Sequence, residues 1–186
     1  MCEFPEYDVN EIVHGLWLGN LKSAYDRGFL YNYKIKHILT LYEDFDYTKK
    51  YKDINYMIIP IRDINTCNTG TDTINLFNQT NQFILNALKN KENVLVHCKK
   101  GHHRSGAVVA AFLIKHYNYE YDAAIKYINK LRPCALRRDK CMSNALFNYY
   151  LQIKGINNCN IKCQKYDRSL EKGHMIGMSR YGCYCE

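Results

Sequence analysis

A cysteine and an arginine six positions apart, Cys98 and Arg104, frame the segment His97-Cys98-Lys99-Lys100-Gly101-His102-His103-Arg104-Ser105-Gly106. A thiolate is a strong nucleophile, and a planar guanidinium fork can hold two phosphate oxygens at once. Gly101 allows the chain between them to fold tightly with its amides turned inward. A loop that enters a helix N-terminus in this way forms an anion site, and such a field favours ionisation of Cys98. Ser105 is spaced to donate a hydrogen bond to the Cys98 sulfur when a thiolate leaves. The pattern suits nucleophilic attack on phosphorus, with loop amides and Arg104 gripping the equatorial oxygens of the transferring group. A buried strand-end cysteine is the structural alternative for Cys98. It does not account for the glycine and arginine that follow.

The departing oxygen of such a reaction needs a proton. Asp63 follows the apolar Ile59-Pro60-Ile61, and 98 − 63 = 35 residues separate it from Cys98. A loop there can carry a carboxylic acid to the pocket, although from the residues alone Asp63 is equally an ordinary loop carboxylate. Asp72 competes with it but is better placed to cap the helix that follows.

These residues need a scaffold. Val94-Leu95-Val96 before the loop reads as a strand, Asn93 to His97, buried on both faces of a sheet. Ala107 to Leu113 after it reads as a buried helix, from Arg104 to about Tyr117. Further strands are expected within Ile12–Leu18, turned by Gly19-Asn20, at His37–Leu41 and at Asn55–Ile61. Ser23 is expected to cap a helix reaching about Tyr33, with Ala24, Leu30 and Tyr31 on its inner face. Other helices are expected from about Asp72 to Asn90, from Tyr121 to Leu131 and from Cys141 to about Ile153. Alternating strands and helices imply an α/β fold, a central and mostly parallel twisted sheet with helices on both faces. Periodicity fades after Gly155. The organisation expected is a catalytic domain over residues 1–154 and a cysteine-containing tail or appendage over 155–186.

Composition narrows the classes. The chain has 186 residues, is 47% hydrophobic and carries a net charge of +8, which favours polyanionic partners. No stretch is long and apolar enough to span a membrane, and the first residues lack the pattern of a secretory leader. Nine cysteines, an odd number with one in a reactive loop, fit a reducing compartment rather than a disulfide framework. An intracellular protein is expected, in the cytoplasm and compatibly the nucleus. No aromatic and basic motif of a nucleic-acid module is present, and the sequence sets no oligomeric state. In the tail, Cys159, Cys163, His174, Cys183 and Cys185 lack the usual zinc-site spacing, so a flexible or packed tail is expected over zinc binding. Cys67 could pair with Cys98 under oxidation, on rough sequence proximity alone.

The string His-Cys-x5-Arg-Ser-Gly, together with Gly15-Leu16-Trp17-Leu18-Gly19-Asn20, Ala24, the Ile-Pro-x-x-Asp segment, Arg132-Pro133, Asn144 and Phe147, resembles the cysteine-dependent dual-specificity phosphatases over about residues 9–153. The resemblance implies a protein tyrosine phosphatase-like fold and a reaction with no cofactor and no metal. It implies Cys98 as phosphocysteine nucleophile, Arg104 as phosphate clamp, Asp63 as general acid and Ser105 as helper in thiolate release. Asn144 matches a loop-supporting asparagine, and His97 directly precedes the nucleophile. The substrate implied is phosphotyrosine and phosphoserine or phosphothreonine in proteins. Lys99, Lys100, His102 and His103 make the loop unusually basic, which would also suit a multiply phosphorylated substrate such as an inositol pyrophosphate, a phosphoinositide or an RNA 5′-triphosphate. The alternative for these side chains is that they point outward or pack on the neighbouring Asp63 loop. A non-catalytic phospho-binding module is the remaining reading, and it sits poorly with a chain that retains both nucleophile and acid.

Overall fold

The computed structural model describes residues 8–61, 71–133, 135–136 and 141–156. The expectations for the start of the chain, for Asp63 and Cys67, and for the cysteines and histidine of the tail lie outside the described residues. Five strands form one sheet: β1 (Val9–Val13), β2 (Leu16–Gly19), β3 (Ile35–Thr40), β4 (Asn55–Ile58) and β5 (Asn93–His97). Their order is β1-β2-β5-β3-β4, with β1 and β2 antiparallel and every other pairing parallel. The strand that leads into the Cys98 loop is therefore the central one. Its last residue, His97, lies in register with Gly19 of β2 and Thr40 of β3. Three parallel strands thus end at one edge, the position where open α/β sheets form their crevices.

Central placement explains the unbroken apolar run of β5. Val94 and Val96 face one core, Leu95 faces the other, and all are fully buried. The first core lies under helices α3 (Thr71–Lys89), α4 (Arg104–His116), α5 (Tyr121–Leu131) and α6 (Cys141–Ile153). Every residue of α4 from Arg104 to Ile114 is buried, as a helix that is apolar all round requires. The second core packs α1 (Leu21–Tyr25) and α2 (Arg27–Asn32) on the opposite face through Ala24, Phe29 and Leu30. Helices on both faces of a mostly parallel sheet are the architecture expected. At the far end of α6, Gly155 takes φ +65° and Ile156 N donates to Leu151 O at 2.9 Å, a left-handed helix stop. Among the described residues no helix is long and apolar enough to cross a membrane.

Local expectations fail where side-chain capping decides the structure. Ser23 does not cap the first helix. Asn20 does, its Oδ1 accepting from Ser23 N at 3.0 Å, while Ser23 Oγ donates to Asn20 O at 2.7 Å. The single helix expected to reach Tyr33 is two, because Asp26 leaves helical geometry and caps α2 through Phe29 N at 3.0 Å. The break rotates Tyr31 outward to 78% exposure instead of into the core. Gly19-Asn20 does turn the chain, from the end of β2 into α1, while the hairpin between β1 and β2 turns at Gly15, φ +81°. Asp72 is the second residue of α3 rather than the residue before it. β4 stops at Ile58 rather than Ile61, although Ile59 N still reaches Thr40 O at 2.8 Å.

Candidate active site

Cys98 is the first residue after β5, and its side chain is 2% exposed. Its sulfur accepts two hydrogen bonds, from Gly101 N at 3.2 Å and from Ser105 Oγ at 3.3 Å. Gly101 makes this return possible. Its φ is +68°, and a Cβ there would lie 2.3 Å from Gly19 O. The spacing argument for Ser105 is thus met in space: the first turn of α4 carries its hydroxyl to the sulfur.

The loop's carbonyls have partners outside its centre. Lys99 O accepts from Leu21 N at 3.3 Å, so the start of α1 holds it. Lys100 O and Gly101 O both accept from Arg132, at 3.2 Å from Nη2 and 2.6 Å from Nε. His102 O accepts from Leu136 N at 3.2 Å, and His103 O from Ala107 N at 2.9 Å within α4. Cys98 O faces His97 Nδ1 at 3.4 Å. In a planar trans peptide the C=O of one residue and the N–H of the next point in opposite directions. Carbonyls captured outside therefore turn the following amides toward the sulfur, as the Gly101 contact already shows. Such converging amides form a cradle for an anion.

Arg104 opens α4 and is 3% exposed. Its Nη1 donates to Ile61 O at 2.7 Å, and its guanidinium carbon lies 5.5 Å from the centre of the Tyr42 ring. Tyr42 also carries Lys99 Nζ, 5.8 Å from the same centre, and its own hydroxyl donates to Asp44 Oδ2 at 3.1 Å. Arg104 is thereby tied to the segment that leads, two residues on, to Asp63.

His97 is completely buried. Its Nε2 lies 2.8 Å from Thr40 Oγ1, and a neutral ring with its proton on Nδ1 satisfies both neighbours. Burial, aided by the charge of Arg104 and opposed by the Cys98 carbonyl, lowers its pKa to about 4. The same holds for His102, lowered to about 4 by burial first and then by Arg132. The basic character of the loop therefore rests mainly on its lysines. His102 is neutral near pH 7, while Lys99 and Lys100 are exposed. His103 is half-buried at the N-cap of α4, and Asn144 is half-buried in α6.

Residues that spacing did not reveal complete the site. Arg132 is 3% exposed, and besides the two carbonyls its Nη1 donates to Asn10 Oδ1 at 3.1 Å and its Nη2 pairs with the Asp8 carboxylate. Asp8 in turn accepts from the side-chain amide of Asn20, and its carbonyl takes Asn20 N at 3.2 Å. Leu136 adopts φ +50°, an uncommon conformation for a branched residue, where it bonds His102 O. Arg132 and Gly19-Asn20 stand in segments that the resemblance quotes. No periodicity or charge pattern in the sequence marks what they hold.

Residues 16–152 match the family described as the dual specificity phosphatase catalytic domain. A probable dual specificity protein phosphatase of Dictyostelium discoideum is 29% identical over 147 residues, covering 79% of this chain and 65% of its own length. Dual specificity protein phosphatase 1B of Arabidopsis thaliana is 30% identical over 132 residues, covering 67% of this chain and 72% of its own length. Across five such relatives the chain spans 30% to 72% of their length. The crystal structure of human DUSP28 superposes with a TM-score of 0.71 at 18% identity, over 82% of this chain and 99% of that one, which establishes the shared fold.

Proposed function

This chain belongs to the dual specificity phosphatases through a catalytic domain matched over residues 16–152, and from that premise we propose that it hydrolyses phosphomonoesters through a phosphocysteine on Cys98. The observation that carries the reading is the sulfur of Cys98 at the centre of a loop whose carbonyls are held on the outside. Phosphotyrosine and phosphoserine or phosphothreonine in proteins are the proposed substrates. A neutral His102 removes one of the cations that would favour a multiply phosphorylated substrate.

In the first step the Cys98 thiolate attacks phosphorus, the P–S bond forms and the P–O bond to the leaving group breaks. The inward amides and Arg104 balance charge on the three equatorial oxygens. Asp63, as the carboxylic acid, protonates the leaving oxygen. In the sequence Asp63 follows by two residues Ile61, whose carbonyl already accepts from Arg104. In the second step water attacks phosphorus and gives its proton to the Asp63 carboxylate. The thiolate leaves as Ser105 donates to it. Asn144 is proposed to support the loop from α6. The catalytic unit is proposed to end near residue 154, where Gly155 stops α6, with 155–186 as an appendage.

The test is hydrolysis of para-nitrophenyl phosphate and of phosphotyrosine, phosphoserine and phosphothreonine peptides, in the presence of a chelator. Turnover of both peptide classes, abolished by Cys98→Ser and slowed by Asp63→Asn, is expected. A strict metal requirement or an active Cys98→Ser enzyme would contradict the reading.

A further inference from the structure

We propose that Arg132 is a positioning residue for this reaction: by holding two successive carbonyls of the Cys98 loop it aims the amides of Gly101 and His102 at the phosphoryl group. The inference rests on the phosphocysteine reading and adds to it a residue from the turn after α5.

The geometry follows from peptide planarity. Lys100 O and Gly101 N–H belong to one planar unit and point in opposite directions. Arg132 Nη2 takes the carbonyl end at 3.2 Å, and the amide end meets Cys98 Sγ at 3.2 Å. Gly101 O and His102 N–H form the next unit, and Arg132 Nε takes that carbonyl at 2.6 Å. One rigid fork therefore sets two consecutive planes, which a point charge cannot do.

Arg132 is itself held from three sides. It directly follows α5, where its N–H donates to Ile128 O at 2.8 Å. Asn10 Oδ1 accepts from Nη1 at 3.1 Å, and the Asp8 carboxylate pairs with Nη2. Asp8 also binds Asn20, the cap of α1, and the first amide of α1 holds Lys99 O at 3.3 Å. A chain of contacts thus runs from the start of β1 round the outside of the loop. Asp8 offsets the charge of Arg132, so the guanidinium acts on the loop by orientation more than by its field. Sequence spacing hides this arrangement, because the partners come from opposite ends of the described chain.

The experiment measures kcat and KM for para-nitrophenyl phosphate, with the rate of Cys98 alkylation by iodoacetamide at fixed pH. It compares wild type, Arg132→Gln, Arg132→Lys and Asp8→Asn, with Cys98→Ser as the blank, and urea unfolding to verify that each variant is folded. Arg132→Gln is expected to lower kcat on the order of a hundredfold, as loss of an oriented amide donor does, with a much smaller change in KM. It is also expected to slow alkylation. Arg132→Lys should recover only part of kcat. Asp8→Asn separates orientation from charge: a loosened Arg132 lowers kcat, whereas an Arg132 acting by its field would raise kcat/KM once its counter-charge is gone. Folded Arg132→Gln with wild-type kcat, or Asp8→Asn with raised kcat/KM, overturns the proposal. If Arg132→Gln does not fold, the Lys and Asp8→Asn variants decide. Wild-type turnover that does not depend on Cys98 would instead overturn the catalytic reading beneath it.

Discussion

His97→Asn should flatten the pH dependence of stability between pH 7 and pH 5. His97 has no exposed surface, lies 2.8 Å from Thr40 Oγ1, and packs its ring 5.9 Å from that of Phe45. Burial is the main cause that lowers its pKa from 6.5 to about 4. The unfolded chain therefore takes up a proton first as the pH falls. Stability from the neutral ring is fully present above 6.5 and is lost as the pH drops toward 4. Linkage puts the full loss at about 3 kcal/mol, and about 2 kcal/mol of it falls between pH 7 and pH 5. That is a large part of an ordinary domain's stability, roughly 5–15 kcal/mol. Urea unfolding of wild type and variant at the two pH values measures it. The fixed cost of the substitution cancels because only the pH slopes are compared. His102 and His116, whose pKa values are also lowered, steepen both slopes alike. A wild-type slope steeper by about 2 kcal/mol is expected. Parallel slopes would refute the argument that His97 is held neutral by its burial.

Three further outcomes follow from single contacts. Gly101→Ala would place a Cβ 2.3 Å from Gly19 O and 2.7 Å from Arg132 Nη2 at φ +68°. A loss of kcat on the order of a hundredfold or more, with a lower Tm, is expected in turnover and melting assays. Ser105→Ala removes the 3.3 Å donor to Cys98 Sγ. Slower breakdown of the phosphoenzyme, visible as a larger pre-steady-state burst with reduced steady turnover, is the result to look for. Tyr149→Phe deletes a buried hydroxyl that accepts from Asn81 at 2.9 Å and donates to Asn78 at 3.1 Å, both in α3. Stranding the Asn81 amide should cost about 1–3 kcal/mol in urea unfolding and leave kcat unchanged.

The parts of this molecule that were legible in its sequence are those written by neighbours along the chain. Val94-Leu95-Val96 announces a strand buried on both faces, and the bounds expected for β5, α5 and α6 match the structure. The loop from Cys98 to Ser105 is contiguous, so its chemistry could be read before its shape. Tertiary partners were not legible. Asn20 rather than Ser23 caps α1, because the backbone leaves β2 at Gly19 and turns into the helix at Asn20, three residues before Ser23. Asp26 splits what periodicity reads as one helix, and Tyr31 faces outward as a result. Burial lowers the pKa of His102 to about 4, which nothing in its sequence neighbours announces. Asp8, Arg132 and Leu136 meet the loop only because β1 and the turn after α5 converge on one end of the sheet. No spacing rule connects positions so far apart.

The central claim is that phosphate passes through the sulfur of Cys98. Mixing the enzyme with para-nitrophenyl phosphate, quenching in acid within the first turnover and mapping the labelled peptide by mass spectrometry tests it directly. The account predicts one phosphoryl group on the peptide containing Cys98, in larger amount in Ser105→Ala and absent in Cys98→Ser. A phosphoryl group on another residue, or continued turnover by Cys98→Ser, would contradict it.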